Sequence, residues 1–293
     1  MDPKLFEVCN QISKNATFYS GELMCMKALP KISVVVPSFN QAEYLELTLR
    51  SILEQNYPNL ELILIDGGSS DGSVEIIRKY EKQIAFWCSE PDGGQTRGII
   101  KGFSHATGEI LCFLNSDDLF EPCALLEVGE FFSAHSDVDA VYGDSLWIDV
   151  KGNALRKQKE IPFNRFIWLH TYNYIPGMST FWRRTIYDCV GGLNPEFQLA
   201  FDADLWIRFS DHGTIRHIAH QWSRMRFYPE QKNRRLRAES DREDMAIRSR
   251  YWPNGKMPST YYLRRKIAIV LRIGWKLLSG CYGLGYRRHL ENA

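Results

Sequence analysis

The chain carries almost no net charge. Its 36 Lys and Arg stand against 35 Asp and Glu over 293 residues, so no global field draws it to nucleic acid. No run approaches the ~18 uncharged apolar residues that a membrane span needs. The seven cysteines, at 9, 25, 88, 112, 123, 189 and 281, form no C-x-x-C pair and are odd in number. That argues against a zinc ribbon and for reduced thiols in a cytosolic setting. The N-terminus lacks the basic-then-apolar pattern of a secretory signal, which also leads us to expect a cytoplasmic protein. No His has a partner at i,i+4 with a Glu, so a zincin helix is excluded. Internal repeats and low-complexity stretches are absent as well. With 44% apolar residues, the chain has the composition of a folded globular protein, long enough for one large domain or for one domain plus appendages.

From Lys31 to about Tyr142, short apolar runs alternate with helical patterns. Ile32-Ser33-Val34-Val35-Val36 is β-branched and continuous, as expected of a strand buried on both faces. Glu43 to Leu53 places Leu45, Leu49, Ile52 and Leu53 at helical spacing. Leu60 to Ile65 reads as a second strand, Ser73 to about Lys82 as a helix, and Ile84 to Trp87 as a third strand. Thr96 to Ala106 reads as a helix and Ile110 to Leu114 as a fourth strand. This βαβα pattern predicts an α/β fold with a mainly parallel, Rossmann-like central sheet flanked by helices.

Ligands of such sheets bind beyond the carboxyl ends of the strands. Three polar turns therefore converge on one rim: Pro37-Ser38-Phe39-Asn40, Asp66 to Asp71, and Asn115-Ser116-Asp117-Asp118. No G-x-G-x-x-G follows the first strand, and no G-x-x-x-x-G-K-[ST] occurs, so neither a nicotinamide site nor a P-loop is expected. Asp117 and Asp118 follow a buried strand, where charge is costly unless something pairs with it. A divalent cation carrying a diphosphate is one such partner. The alternative is a turn that caps the next helix.

In order and spacing, these motifs resemble the family 2 inverting glycosyltransferases of GT-A fold. The likeness rests on Val34-Val35-Val36-Pro37-Ser38-Phe39-Asn40, on Ile65 to Ser73, and on Asn115-Ser116-Asp117-Asp118. Glu90-Pro91-Asp92-Gly93-Gly94-Gln95, Lys101-Gly102, Ser179 to Arg184, Gly191-Gly192-Leu193-Asn194 and Asp202-Ala203-Asp204-Leu205-Trp206-Ile207-Arg208 extend it across roughly Lys31 to Asn233. The resemblance implies transfer from a nucleotide sugar, with UDP-sugars expected, to a saccharide or lipid-linked acceptor in surface polysaccharide synthesis. Pro37, Ser38, Asn40, Gly94, Gln95, Asn115 and Ser116 would shape the nucleotide-sugar pocket, and Asp66 would accept from uracil. Asp117 would hold Mg²⁺ or Mn²⁺, and Asp118 either ligates the same ion or caps a helix. Asn115 stands where many relatives carry Asp. Arg226 and the Glu230-Gln231-Lys232 turn are similar to a loop that closes over the diphosphate.

Asp202 aligns with the family's catalytic base, with Asp204 as the fallback. Phe201 replaces the acid that usually precedes the base. Trp168, Tyr172 and Tyr174 either stack on a sugar or pack in the core. The rival enzyme class, a sugar nucleotidylyltransferase, lacks its Gly-rich start here. A non-catalytic carbohydrate-binding subunit has only Phe201 in its favour.

We divide the chain into an extension (1–30), a catalytic domain (31–235, with nucleotide-sugar and acceptor halves meeting near 120), and a basic helical segment (236–293). Within the last, a helix from Tyr261 to Leu278 puts Arg265, Arg272 and Lys276 on one stripe. Leu263, Ile267, Val270, Leu271, Leu277 and Leu278 lie opposite. Such a helix either lies on the inner face of a membrane or packs against protein.

Overall fold

The structure, a computed structural model, describes residues 28–281. Most of the 1–30 extension, Cys9 and Cys25 therefore lie outside the described residues. Strand β1 (Ile32–Ser38) is buried along its whole length, as its β-branched sequence requires. It pairs in parallel with β2 (Leu60–Asp66) on one side and β4 (Ile110–Phe113) on the other. β2 pairs in parallel with β3 (Phe86–Ser89). Helices α1 (Ala42–Leu53), α2 (Ser73–Tyr80) and α3 (Gln95–His105) make the crossovers. Gly102 lets α3 approach β1 closely: a Cβ there would stand 2.4 Å from Val35 Cγ1.

Beyond β4 the sheet turns mixed. Short β5 (Leu119–Phe120) precedes α4 (Ala124–Ala134) and the long β6 (Ala140–Ile148), which hairpins into β7 (Ala154–Gln158). After α5 (Arg165–His170), β8 (Thr180–Arg183) sits antiparallel between β4 and β6. Helices α6 (Arg184–Cys189) and α7 (Phe201–His212) lead to β9 (Ile215–Arg226), parallel to β6 and antiparallel to β5. The strand order is β3-β2-β1-β4-β8-β6-β9-β5. The β3-β2-β1-β4 half of the sheet is thus parallel throughout, and its strand ends share one rim. Ser38 lies opposite Asp66 in register, and Val35 opposite Phe113.

The chain after β9 forms α8 (Lys232–Arg235), α9 (Arg237–Ser249) and α10 (Tyr261–Leu278). The orientation of α10 shows which of its two stripes faces protein. Arg272 and Lys276 do not face outward; both are buried against Glu160, at 2.8 and 2.9 Å. The Arg272 guanidinium also lies over the rings of Tyr172 and Tyr174. Glu160 is itself buried and requires cationic partners, so it draws the basic stripe inward and turns the apolar stripe out. Of that stripe only Arg265 stays exposed. Among the described residues, Cys88, Cys112, Cys189 and Cys281 are free thiols.

Candidate active site

At the rim, the β1 and β2 turns hold each other. Asn40, at a φ of 50°, donates its amide to Ser69 Oγ (2.7 Å) and accepts at Oδ1 from the Ser70 amide (3.0 Å). Asp71 accepts the Ala42 amide at the start of α1 and the Ser73 amide and hydroxyl at the start of α2. Asp66 is fully buried. Its Oδ2 accepts from Gly68 N, Ser69 N and Ser89 Oγ, while Oδ1 accepts only from Ser69 Oγ. A carboxylate oxygen has room for two donors, so Oδ1 retains capacity. Pro37 is buried beneath, and the buried Ser38 hydroxyl has no partner.

The Gly93-Gly94 turn needs glycine, with φ of 75° and 116°. Asp92 Oδ1 accepts the Gly94 amide (2.8 Å), and a Cβ on Gly94 would lie 2.6 Å from Gln198 Oε1. The donor-side loop therefore packs directly on the loop that precedes α7. Gln95 Nε2 donates to Asn115 Oδ1 at 2.7 Å, tying α3 to the acidic turn.

In that turn the two aspartates separate. Asp118 is buried, and both its oxygens are engaged: Oδ1 by the Arg226 amide (2.8 Å), Oδ2 by Asn115 Nδ2 (3.1 Å). Thr48 Oγ1 holds the carbonyls of Ser116 and Asp118 from below. Burial, then the charge of Asp117, pushes the Asp118 carboxyl well above its ordinary value. Asp118 thus braces the turn against β9. Asp117 is half-buried, and Tyr228 OH donates to its Oδ2 at 2.8 Å. Burial raises this carboxyl too, opposed by Tyr228 and Arg226.

The described residues hold no group of three or more His, Cys, Asp or Glu side chains able to cage an ion. Mg²⁺ and Mn²⁺ at phosphates need less, one or two carboxylates with the phosphates supplying the rest. The oxygen donor set at Asp117 fits that requirement.

Arg226 also departs from expectation. It is buried, its guanidinium donates to the carbonyls of Asp117, Asp149 and Val150, and it lies over the Tyr44 ring at 4.4 Å. It supports the acidic turn from beneath.

On the acceptor side, Asp202 opens α7. Its Oδ1 accepts the Ala203 amide (2.8 Å) and its Oδ2 accepts Asn173 Nδ2 (3.0 Å). Burial raises its carboxyl to about 6. Gly177 brings it beside the end of β4: a Cβ there would lie 3.3 Å from the Phe113 ring and 3.4 Å from Asp202 Oδ2. Phe201 packs on Phe113 at 5.5 Å, and the Asn115 amide contacts Met178 Sδ. Segment 176–179 thus joins the acidic turn to the start of α7.

Asp204 faces away. It is buried between Arg208 (2.6 Å) and Arg250 (3.1 Å), so the fallback base is an ion-paired structural residue. Trp168 and Tyr174 are buried in the core, and Tyr172 is exposed beside α10.

Three further residues support the site. Glu243, in the highly charged α9, accepts the amides of Gln198, Leu199 and Ala200 at 2.8–2.9 Å, immediately ahead of α7. Lys232 Nζ donates to the Gln198 carbonyl. Tyr228 follows β9 and reaches Asp117 across 111 residues of chain.

A parallel sheet with an acidic turn beyond β4, continued by a mixed second half, is the GT-A arrangement of glycosyltransferases. Residues 33–194 match the glycosyl transferase family 2 domain, and the chain belongs to that family. It is 32% identical over 185 residues to an uncharacterized glycosyltransferase of Mycobacterium tuberculosis, covering 62% of this chain and 70% of that one. To a PGL/p-HBAD biosynthesis glycosyltransferase of Mycobacterium bovis it is 29% identical over 198 residues, covering 66% and 75%. Among solved structures it resembles S. aureus TarS residues 1–349 in complex with UDP-GlcNAc. That likeness has a TM-score of 0.62 at 17% identity and covers 85% of this chain and 73% of that one. It also resembles the Pyrobaculum calidifontis mannosyltransferase PcManGT in complex with GDP-Man and Mn2+. There the TM-score is 0.58 at 16% identity, covering 96% and 85%.

Proposed function

We propose that this glycosyltransferase moves a sugar, with inversion, from a UDP-sugar to a hydroxyl of a saccharide or lipid-linked acceptor in surface polysaccharide synthesis. One observation carries the reading. Of the four carboxylates in the two acidic segments, Asp118 and Asp204 are buried, the latter between two arginines, while Asp117 and Asp202 stay half-buried on either side of segment 176–179.

Asp117 is the residue that would hold Mg²⁺ or Mn²⁺, which supplies charge neutralisation to the departing diphosphate. Asp66, through its free capacity at Oδ1, would accept the uracil N–H, and Ser38 would donate to or accept from the nucleoside. Asn40, Gly94, Gln95, Asn115 and Ser116 shape the loops around them. Asp202 takes the acceptor's proton as its oxygen attacks the anomeric carbon from the side opposite the diphosphate. The Ala203 amide and Asn173 hold that carboxylate in place, and its raised affinity for protons suits a base working near neutrality. UDP-GlcNAc in the TarS complex and Mn2+ in the PcManGT complex support the donor class and the metal. The biosynthetic role named for the M. bovis relative supports the acceptor class. A lipid-linked acceptor would place the enzyme at the cytoplasmic face of a membrane.

The test is nucleoside diphosphate release from a panel of UDP-, GDP- and TDP-sugars, with and without Mg²⁺ or Mn²⁺. The reading expects UDP release from one UDP-sugar, dependent on the ion and lost in Asp117→Asn. Turnover of a GDP-sugar alone would overturn the donor assignment, and full activity in EDTA would overturn the metal.

A further inference from the structure

Helix α10 presents an apolar surface to solvent that the transfer chemistry does not use. Over 18 residues it buries only Tyr261, Ala268, Arg272 and Lys276, one narrow stripe. At 100° per residue, the opposite arc spans roughly 200°. From Ile267 onward that arc contains Ile267, Ile269, Val270, Leu271, Ile273 and the Leu277-Leu278 pair, all exposed; Val270 is 68% and Leu278 90% exposed. No charged residue interrupts it there. Arg264, Arg265 and Lys266, all exposed, ring the turn that precedes it, and the helix contains no acid at all.

We propose that this face is a membrane-docking surface, in which α10 lies in the interface of an anionic phospholipid bilayer. Breadth and charge argue for lipid. A partner helix would cover a seam of about two positions in seven, whereas this arc is wider and convex. Acyl chains accept such a surface without a matching groove. The three exposed cations and the lack of acids complement phosphate headgroups. Tyr262 near one end and Trp275 near the other are the aromatic types favoured at headgroup depth.

No helix among the described residues is long and apolar enough to cross a membrane, so α10 lies on the surface and does not span. Its orientation is fixed from within. Glu160 holds Arg272 and Lys276 inward and so keeps the aliphatic side out. The docking determinant is therefore the apolar face, with the cations of the first turn assisting.

The experiment uses the full chain and sedimentation with large unilamellar vesicles of phosphatidylcholine containing about one third phosphatidylglycerol. The comparison is the double variant Val270→Glu/Leu277→Glu. Both positions are exposed, so circular dichroism and donor cleavage should match wild type. Wild type should sediment with the vesicles, and the variant's partitioning should fall ~tenfold or more. Wild type that stays in the supernatant would overturn the proposal. So would a variant that binds equally well, since the cations alone would then suffice. A wild-type dimer that the two glutamates dissolve would assign the face to a second copy instead. Donor cleavage is read separately, so failure here leaves the transferase reading standing, and the reverse also holds.

Discussion

Asp202→Asn should cripple the enzyme and stabilise the protein at once. The Asp202 carboxyl titrates at about 6 because burial disfavours its charge. Against a starting value of 3.8, that is roughly two pH units, or about 3 kcal/mol of destabilisation at neutral pH as a ceiling. Asp202 is half-buried, so solvent trims this figure. Asparagine must also turn Asn173, whose Oδ1 now accepts the Ile175 amide at 3.2 Å; losing that bond costs about 1 kcal/mol.

The net gain is on the order of 1–2 kcal/mol, a few degrees in Tm. Its pH dependence follows from the raised value. Below pH 4 both states hold the proton and the gain vanishes; it grows through the window from about 4 to 6 and is complete above. Loss of the base should lower kcat by ~10²–10⁴, or about 3–5 kcal/mol in barrier. Wild-type kcat/KM should fall as pH drops through about 6, and the variant should lack that limb. Calorimetry across pH and rate profiles on both proteins decide it. A variant that keeps wild-type turnover, or melts lower at neutral pH, would refute the assignment.

Asp204→Asn should do the reverse: about 1–3 kcal/mol of stability lost with the pH limb intact, since it strands Arg208 and Arg250, both partly exposed. A purified variant with wild-type Tm and poor turnover would show that the two carboxylates have been exchanged. Asp117→Asn should abolish the response of donor binding to added Mn²⁺ while leaving Tm within about 1 kcal/mol-equivalent of wild type; calorimetric titration of the donor reads this directly. Glu243→Gln leaves three loop amides with one good acceptor. It should lower kcat about tenfold with little change in donor KM, and a change confined to KM would place its effect on the donor side instead.

The donor half was legible because its signals are local. A β-branched run such as Ile32 to Val36 forms a buried strand wherever it sits, and the Gly-rich turn after Ile65 ends one. β3 begins at Phe86, two residues late, because a 3₁₀ turn at Glu81–Gln83 places Ile84 just before the strand. Long-range partners decided the rest. Asp117 and Asp118 are adjacent and alike in sequence; the Arg226 amide, 108 residues on, takes one and leaves the other at the rim. Asp202 and Asp204 differ because Arg208 and Arg250 converge on only one of them. In α10 both stripes were visible, but which faces inward depends on Glu160, a buried acid more than a hundred residues away. Glu243 lies in a helix so charged that nothing marks it for the loop ahead of α7.

Nucleoside diphosphate release by the purified full chain, measured side by side for wild type, Asp117→Asn and Asp202→Asn on the donor that turns over, tests the central claim most directly. The account predicts ion-dependent UDP release by wild type, near-complete loss in both variants, and retained donor affinity only in Asp202→Asn. Undiminished release by either variant, or none from any nucleotide sugar by wild type, would contradict it.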